Sequence, residues 1–198
     1  MKLYYSPAYC SLAVHIALYE AGVPFEAVRV DTTDARYRDV NPRGYVPVLE
    51  LDDGSRHTEA AALLQYVGDL APATGLMPAV GTRERFQAIQ WLTFVSSELH
   101  KVFSPWLWHK ETADSTRKAV KEKLAIRFAE LDALLGTQAF LAGGQFTVAD
   151  AYAFTILSWG PMLGLSVKPY PNLDAYLQRI AQRPAVRAAL QAEGLQRG

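Results

Sequence analysis

The spacing of apolar residues changes partway along the chain. Lys2-Leu3-Tyr4-Tyr5 is a short β-favouring run, and Ser6-Pro7-Ala8 breaks it. From Ser11, apolar Leu12, Ile16 and Tyr19 recur at helical spacing as far as Gly22, with Pro24 beyond the stop. Residues 25–30 then read as a strand. Together these predict a βαβ unit with parallel strands and a right-handed crossover. Residues 31–41 are polar and aperiodic. Residues 46–51 read as a strand, Asp52-Asp53-Gly54-Ser55 as a hairpin turn, residues 56–59 as a short antiparallel strand, and residues 60–70 as a helix. This order predicts a small mixed sheet with helices on its faces, a thioredoxin-like arrangement.

Residues 72–81 are rich in Pro and Gly, carry no charge and read as a linker. Strand signals then cease. Residues 82 to about 110 predict one long amphipathic helix, broken near Pro105, and residues 115–135 predict a second. Thr147-Val148-Ala149-Asp150 resembles a capping box, with Asp where Glu or Gln is usual. Residues 172–182 and 184–192 predict two more helices, the last with Pro in its first turn. The expected fold class is α/β plus all-α. An N-terminal thioredoxin-like domain spans 1–71, a linker 72–81 and an all-helical domain 82–198.

Composition narrows the function classes. The chain has 198 residues, 50% of them hydrophobic, and 20 Lys and Arg offset 20 Asp and Glu. Zero net charge argues against bulk attraction to nucleic acid or an anionic membrane. One cysteine excludes an internal disulfide framework, a CxxC redox pair and a zinc ribbon, and the histidines lack metal-ligand spacing, so no metal is expected. The opening residues have no apolar core of a signal peptide. Residues 151–167 carry no formal charge, but they fall short of the roughly 20 apolar residues needed to span a bilayer. A helix buried all round is the reading, in a soluble cytoplasmic protein.

Four groups of residues could carry chemistry. Tyr5 and Cys10 flank the turn from the first strand to the first helix. A helix N-terminus favours an anion there and lowers a thiol pKa, although a small buried hydrophobe also fits Cys10. Val46-Pro47 starts a strand edge: a cis bond would leave the Val46 main chain free to pair with an extended peptide, and a trans bond would make it an ordinary edge. Glu59 and Ala60 open a helix, where free N–H groups take a carboxylate and Glu59 an ammonium, or where Thr58 or Glu59 simply caps. Thr93, Ser97, His100, Lys101 and Ser104 form a polar stripe on the long helix.

The words MKLYYSPAYCSLAVHIAL, NPRGYVPVLELDDG, TEAAALLQYVGD, SELHK and FTVADAY occur in order along nearly the whole chain. Each resembles a segment of the cytosolic glutathione S-transferases, bacterial beta class. The resemblance implies a homodimer with glutathione as co-substrate and small hydrophobic electrophiles as partners. It implies that Cys10 lies against the glutathione sulfur with Tyr5 nearby, and that Val46 pairs with the cysteinyl backbone beside a cis Pro47. Glu59 and the Ala60 N–H would hold the γ-glutamyl end, with His100 and Lys101 reaching in from the helical domain. Ala60 stands where Ser or Gly is common, and Thr93 where Asn is usual. The 31–41 loop is shortened and lacks the expected lysine, leaving Arg36 to meet the glycyl carboxylate.

Lowering the glutathione thiol pKa by two units takes about 2.7 kcal/mol. A helix terminus supplies about 0.3–1, at most about 2, so donors near the sulfur are required, each adding about 1.5–3. Cys10, Tyr5 and His100 are the candidates. The expected function is conjugation of the glutathione thiolate to an electrophile. The alternatives are a thiol-disulfide oxidoreductase with Cys10 as nucleophile, and a non-catalytic binder on the same scaffold.

Overall fold

Along β1 (Lys2–Tyr5) the side chains alternate, Leu3 and Tyr5 buried and Lys2 and Tyr4 turned outward. The structure, a computed structural model, describes residues 1–195. β1 sits inside a four-stranded sheet of order β2-β1-β3-β4, with β2 (Glu26–Arg29), β3 (Val48–Glu50) and β4 (Arg56–His57). β1 runs parallel to β2, with Leu3 opposite Ala27, and antiparallel to β3, with Leu3 opposite Leu49. β3 and β4 are antiparallel. The mixed sheet is the one the sequence predicts.

Helix α1 (Ser11–Ala21) is buried continuously from Ser11 to Leu18. It packs against α2 (Ala60–Leu70), α6 (Val148–Leu157) and α8 (Pro184–Ala192). An element packed all round has no use for a polar face, which explains why its sequence is so apolar. Gly22 closes α1 at φ 65°, its N–H donating to the Tyr19 carbonyl.

The segment expected as a linker is pinned to both halves. Pro72–Thr74 forms a 3₁₀ turn, Leu76 and Met77 are buried, and the Val148 N–H donates to the Leu76 carbonyl. A Cβ on Gly68 would lie 2.6 Å from the Met77 Cβ, so glycine lets the segment lie close against α2. Residues 31–41 are also more ordered than their aperiodicity suggested, with a 3₁₀ helix at Ala35–Asp39.

The second half is helical. Thr82 caps α3 (Arg83–Phe94) by accepting the Arg85 N–H. The helix continues through a π-helical stretch, Val95–His100, into α4 (Lys101–Phe103), and ends before the cis Ser104-Pro105 bond. Then come α5 (Asp114–Leu135), α6, α7 (Pro171–Ala181) and α8. α6 begins with the foreseen capping box, and every one of its residues is buried. Buried Asp150 accepts from the Thr147 N–H and hydroxyl, the Leu141 N–H and the Tyr176 hydroxyl. Among the described residues, no helix is long and apolar enough to cross a membrane. Residues 196–198 of the expected helical domain lie outside the described residues.

Candidate active site

Three backbone features meet at the end of the sheet. The first is the loop from β1 to α1. Ala8 there takes a left-handed φ of 65°, unusual for a residue with a Cβ, and Cys10 immediately precedes the first helical residue. The Cys10 thiol donates to the Val46 carbonyl at 3.2 Å. Burial pushes its pKa up to about 12, against smaller lowering by nearby backbone N–H groups and Lys101. This reverses the sequence expectation of a lowered pKa. Desolvation of the sulfur outweighs the helix end, and Cys10 is a proton donor at neutral pH.

The second feature is the Val46-Pro47 bond, which is cis. Val46 is buried, and among the described residues no protein group accepts its N–H. That N–H is left open to water or to a ligand.

The third is the start of α2. Glu59 has φ 71° and ψ 104° and makes no side-chain cap, so the simple capping reading of this turn fails. Such a conformation in a non-glycine residue costs about 1–3 kcal/mol. It sends the carboxylate away from the helix, toward Arg43, whose Nη1 lies 3.1 Å from Glu59 Oε1. The Ala62 and Leu63 N–H groups return to the Glu59 carbonyl, leaving the Ala60 and Ala61 N–H groups open to an anion.

The helical half supplies the opposite wall. His100 Nδ1 lies 2.6 Å from the Tyr152 hydroxyl, and the imidazole packs edge-on to Trp159. Burial, with Lys101 adding to it, lowers the His100 pKa to about 4, so the imidazole is neutral at pH 7. The cation on this wall is exposed Lys101, whose field favours the Cys10 thiolate. The Trp159 indole N–H donates to the Ala8 carbonyl at 2.8 Å. The Ala8 N–H donates to Glu193 Oε2, and Glu193 Oε1 lies 2.9 Å from His15 Nδ1. Both polar atoms of the left-handed Ala8 are therefore held by the helical half.

Three predicted residues lie otherwise than expected. Arg36 is 88% exposed and forks onto Asp34, which also caps its 3₁₀ helix, so its guanidinium is already engaged. The Thr93 hydroxyl donates to the Ile89 carbonyl of its own helix. Tyr5 packs against His15 in the core, where burial raises its pKa, and no protein group pairs with its hydroxyl among the described residues. The structure brings together Cys10, Val46, Pro47, Glu59 and Ala60 on one side, and His100 and Lys101 on the other. Sequence reasoning missed Arg43, Trp159 and Glu193. The last two meet Ala8 from 151 and 185 residues away, and no local pattern reports such a contact. Among the described residues, no group of three or more His, Cys, Asp or Glu could hold a metal.

Comparison with known proteins identifies the family. The family model described as "Glutathione S-transferase, N-terminal domain" matches residues 9–70, and "Glutathione S-transferase, C-terminal domain" matches residues 94–184. Glutathione S-transferase GstA of Escherichia coli O157:H7 is 40% identical over 98% of this chain and 100% of its own. A sphingomonad glutathione S-transferase solved with glutathione superposes with a TM-score of 0.93 at 45% identity, covering 99% of this chain and 100% of its own. A bacterial beta class glutathione S-transferase from Sphingomonas chungbukensis gives 0.93 at 44% identity over 99% and 100%.

Proposed function

The chain belongs to the glutathione S-transferase family, and on that premise we propose how its residues divide the work of a glutathione transferase. The enzyme uses glutathione as its co-substrate. The observation that carries the assignment of residues is the unpaired Val46 N–H beside Cys10, next to the open N-terminus of α2. Val46 pairs with the cysteinyl backbone of the tripeptide. The Ala60 and Ala61 N–H groups take the γ-glutamyl carboxylate, and Glu59 takes its ammonium. Arg43 replaces Arg36 as the cation of this rim.

The protonated Cys10 thiol turns from the Val46 carbonyl to the glutathione sulfur and donates to it. Such a bond to an anion is worth about 1.5–3 kcal/mol, enough with the Lys101 field and the helix end to lower the substrate thiol by about two units. Neutral His100 acts as a dipole on this wall, and the thiol proton leaves to water. With an aryl halide, the thiolate forms the carbon–sulfur bond and halide departs with the bonding pair.

Exposed Tyr9, Trp106, Trp108 and Met162 offer an apolar surface for the hydrophobic electrophile. Exposed Tyr66, Leu70, Val80 and Phe86 support a homodimer through α2 and the start of α3. The protein works in the cytoplasm, with domains over 1–71 and 82–198 joined by 72–81. A raised Cys10 pKa speaks against the oxidoreductase reading, because the attacking species in exchange is a thiolate. The test is calorimetry with glutathione, then conjugation of an aryl halide beside reduction of a glutathionylated disulfide. Binding with conjugation dominant supports the proposal. Disulfide reduction dominant would replace it, and no binding at millimolar glutathione would leave a ligand binder.

A further inference from the structure

The peptide unit between Tyr45 and Val46 is held from one side by two buried donors. The Tyr45 carbonyl accepts the Tyr37 hydroxyl at 2.9 Å and the Asn41 side-chain amide at 2.8 Å. Tyr37 is 5% and Asn41 6% exposed, and Tyr37 packs in a small cluster with Val46 and Val48. This peptide is trans, unlike the one that follows it. In a planar trans peptide the N–H points opposite to the C=O. Two donors that fix the Tyr45 carbonyl inward therefore fix the Val46 N–H outward, as the donor that glutathione would meet.

Asn41 reaches further. Its side-chain oxygen accepts the Arg43 N–H at 3.2 Å, and its own carbonyl accepts the Gly44 N–H at 2.8 Å. Gly44 has φ 70°, so the turn needs a residue tolerant of the left-handed region. That turn presents Arg43 to Glu59. One amide thus ties the rim that meets the cysteinyl backbone to the group that meets the γ-glutamyl end.

We infer that Asn41, with Tyr37 as a second prop, is the positioning residue for glutathione binding, acting through the Tyr45–Val46 peptide. The role requires an amide. A carboxylate at 41 still accepts from Arg43 but has no hydrogen for the Tyr45 carbonyl, and would set a negative charge against it. A phenol is suited to the second prop because burial keeps the Tyr37 hydroxyl protonated, its pKa raised to about 12. The 31–41 segment therefore serves glutathione as a buttress behind the rim rather than as a source of contacts.

The inference rests on Val46 pairing with glutathione, and the experiment separates the two. Asn41→Asp and Tyr37→Phe are compared with the parent by glutathione calorimetry and by steady-state conjugation with glutathione varied. Asn41→Asp is expected to raise the glutathione KM and Kd about tenfold or more, with kcat at saturating glutathione within about twofold of the parent. Tyr37→Phe, which changes no charge and removes a single hydroxyl, is expected to raise them about threefold to tenfold with the same pattern. KM unchanged within about twofold in both variants, or kcat falling while KM stays, overturns the inference and leaves the parent reading intact. A parent that binds no glutathione at millimolar concentration overturns both. Thermal melting identifies a variant that fails to fold, in which case Tyr37→Phe decides alone.

Discussion

The Cys10 thiol donates to the Val46 carbonyl across 3.2 Å, so the sulfur and the peptide-binding edge are in contact before any substrate arrives. With its pKa pushed up to about 12, Cys10 holds its proton through the neutral range. Its alkylation by iodoacetamide, without glutathione, is expected to rise about tenfold per pH unit from 7 to 9 with no plateau. A plateau below pH 8 would contradict this. Cys10→Ala is expected to lower conjugation at neutral pH about tenfold to a hundredfold, the loss of one hydrogen bond to the thiolate, as read by steady-state kinetics.

The two candidate charges of the rim separate cleanly. Glu59→Gln is expected to raise the glutathione KM about tenfold, because it removes the partner of an ammonium. Arg36→Ala should change it less than about twofold, since that guanidinium is already paired with Asp34. Steady-state kinetics with glutathione varied measure both. The reverse order would restore the assignment suggested by the sequence.

His100 gives the fold an acid limit. Its pKa falls from 6.5 to about 4, so between those values the unfolded chain binds a proton that the folded chain refuses. The contribution to stability is fully present above pH 6.5 and is lost as pH falls toward 4, amounting to about 3 kcal/mol. Urea denaturation at pH 7 and pH 4.5 should show a smaller acid loss in His100→Gln than in the parent. Parallel losses would show that the imidazole is not responsible.

Glu193 and His15 form a pair in which neither side chain is exposed, and the same carboxylate accepts the Ala8 N–H. Glu193→Ala leaves both donors buried without a partner, where His15 Nε2 already has none. It is expected to lower stability by about 2–6 kcal/mol in urea denaturation, about 1–3 for each stranded donor. A loss below about 1 kcal/mol would mean that the pair adds nothing to the tie between the two halves.

Much of the fold was legible because local rules agree with it. Gly22 after an apolar helical run, the Asp52–Ser55 turn signal and the Thr147–Asp150 box each dictate structure through neighbours within a few residues. The site was partly legible. Cys10, Val46, Glu59 and Ala60 sit at chain reversals, and reversals can be read. The sign of the Cys10 shift could not, because burial is set by packing. Arg36 misled because its partner Asp34 is close by in sequence and competes for it. The π-helical stretch at Val95–His100 left no mark that separates it from the amphipathic helix in which it lies.

The grip on Ala8 has a consequence for biosynthesis. Trp159 and Glu193 leave the ribosome long after the sheet and its two helices have had time to form. The turn carrying the sulfur therefore gains its anchors last. A nascent N-terminal half lacks both anchors of Ala8 until Glu193, just past the end of α8, has been made.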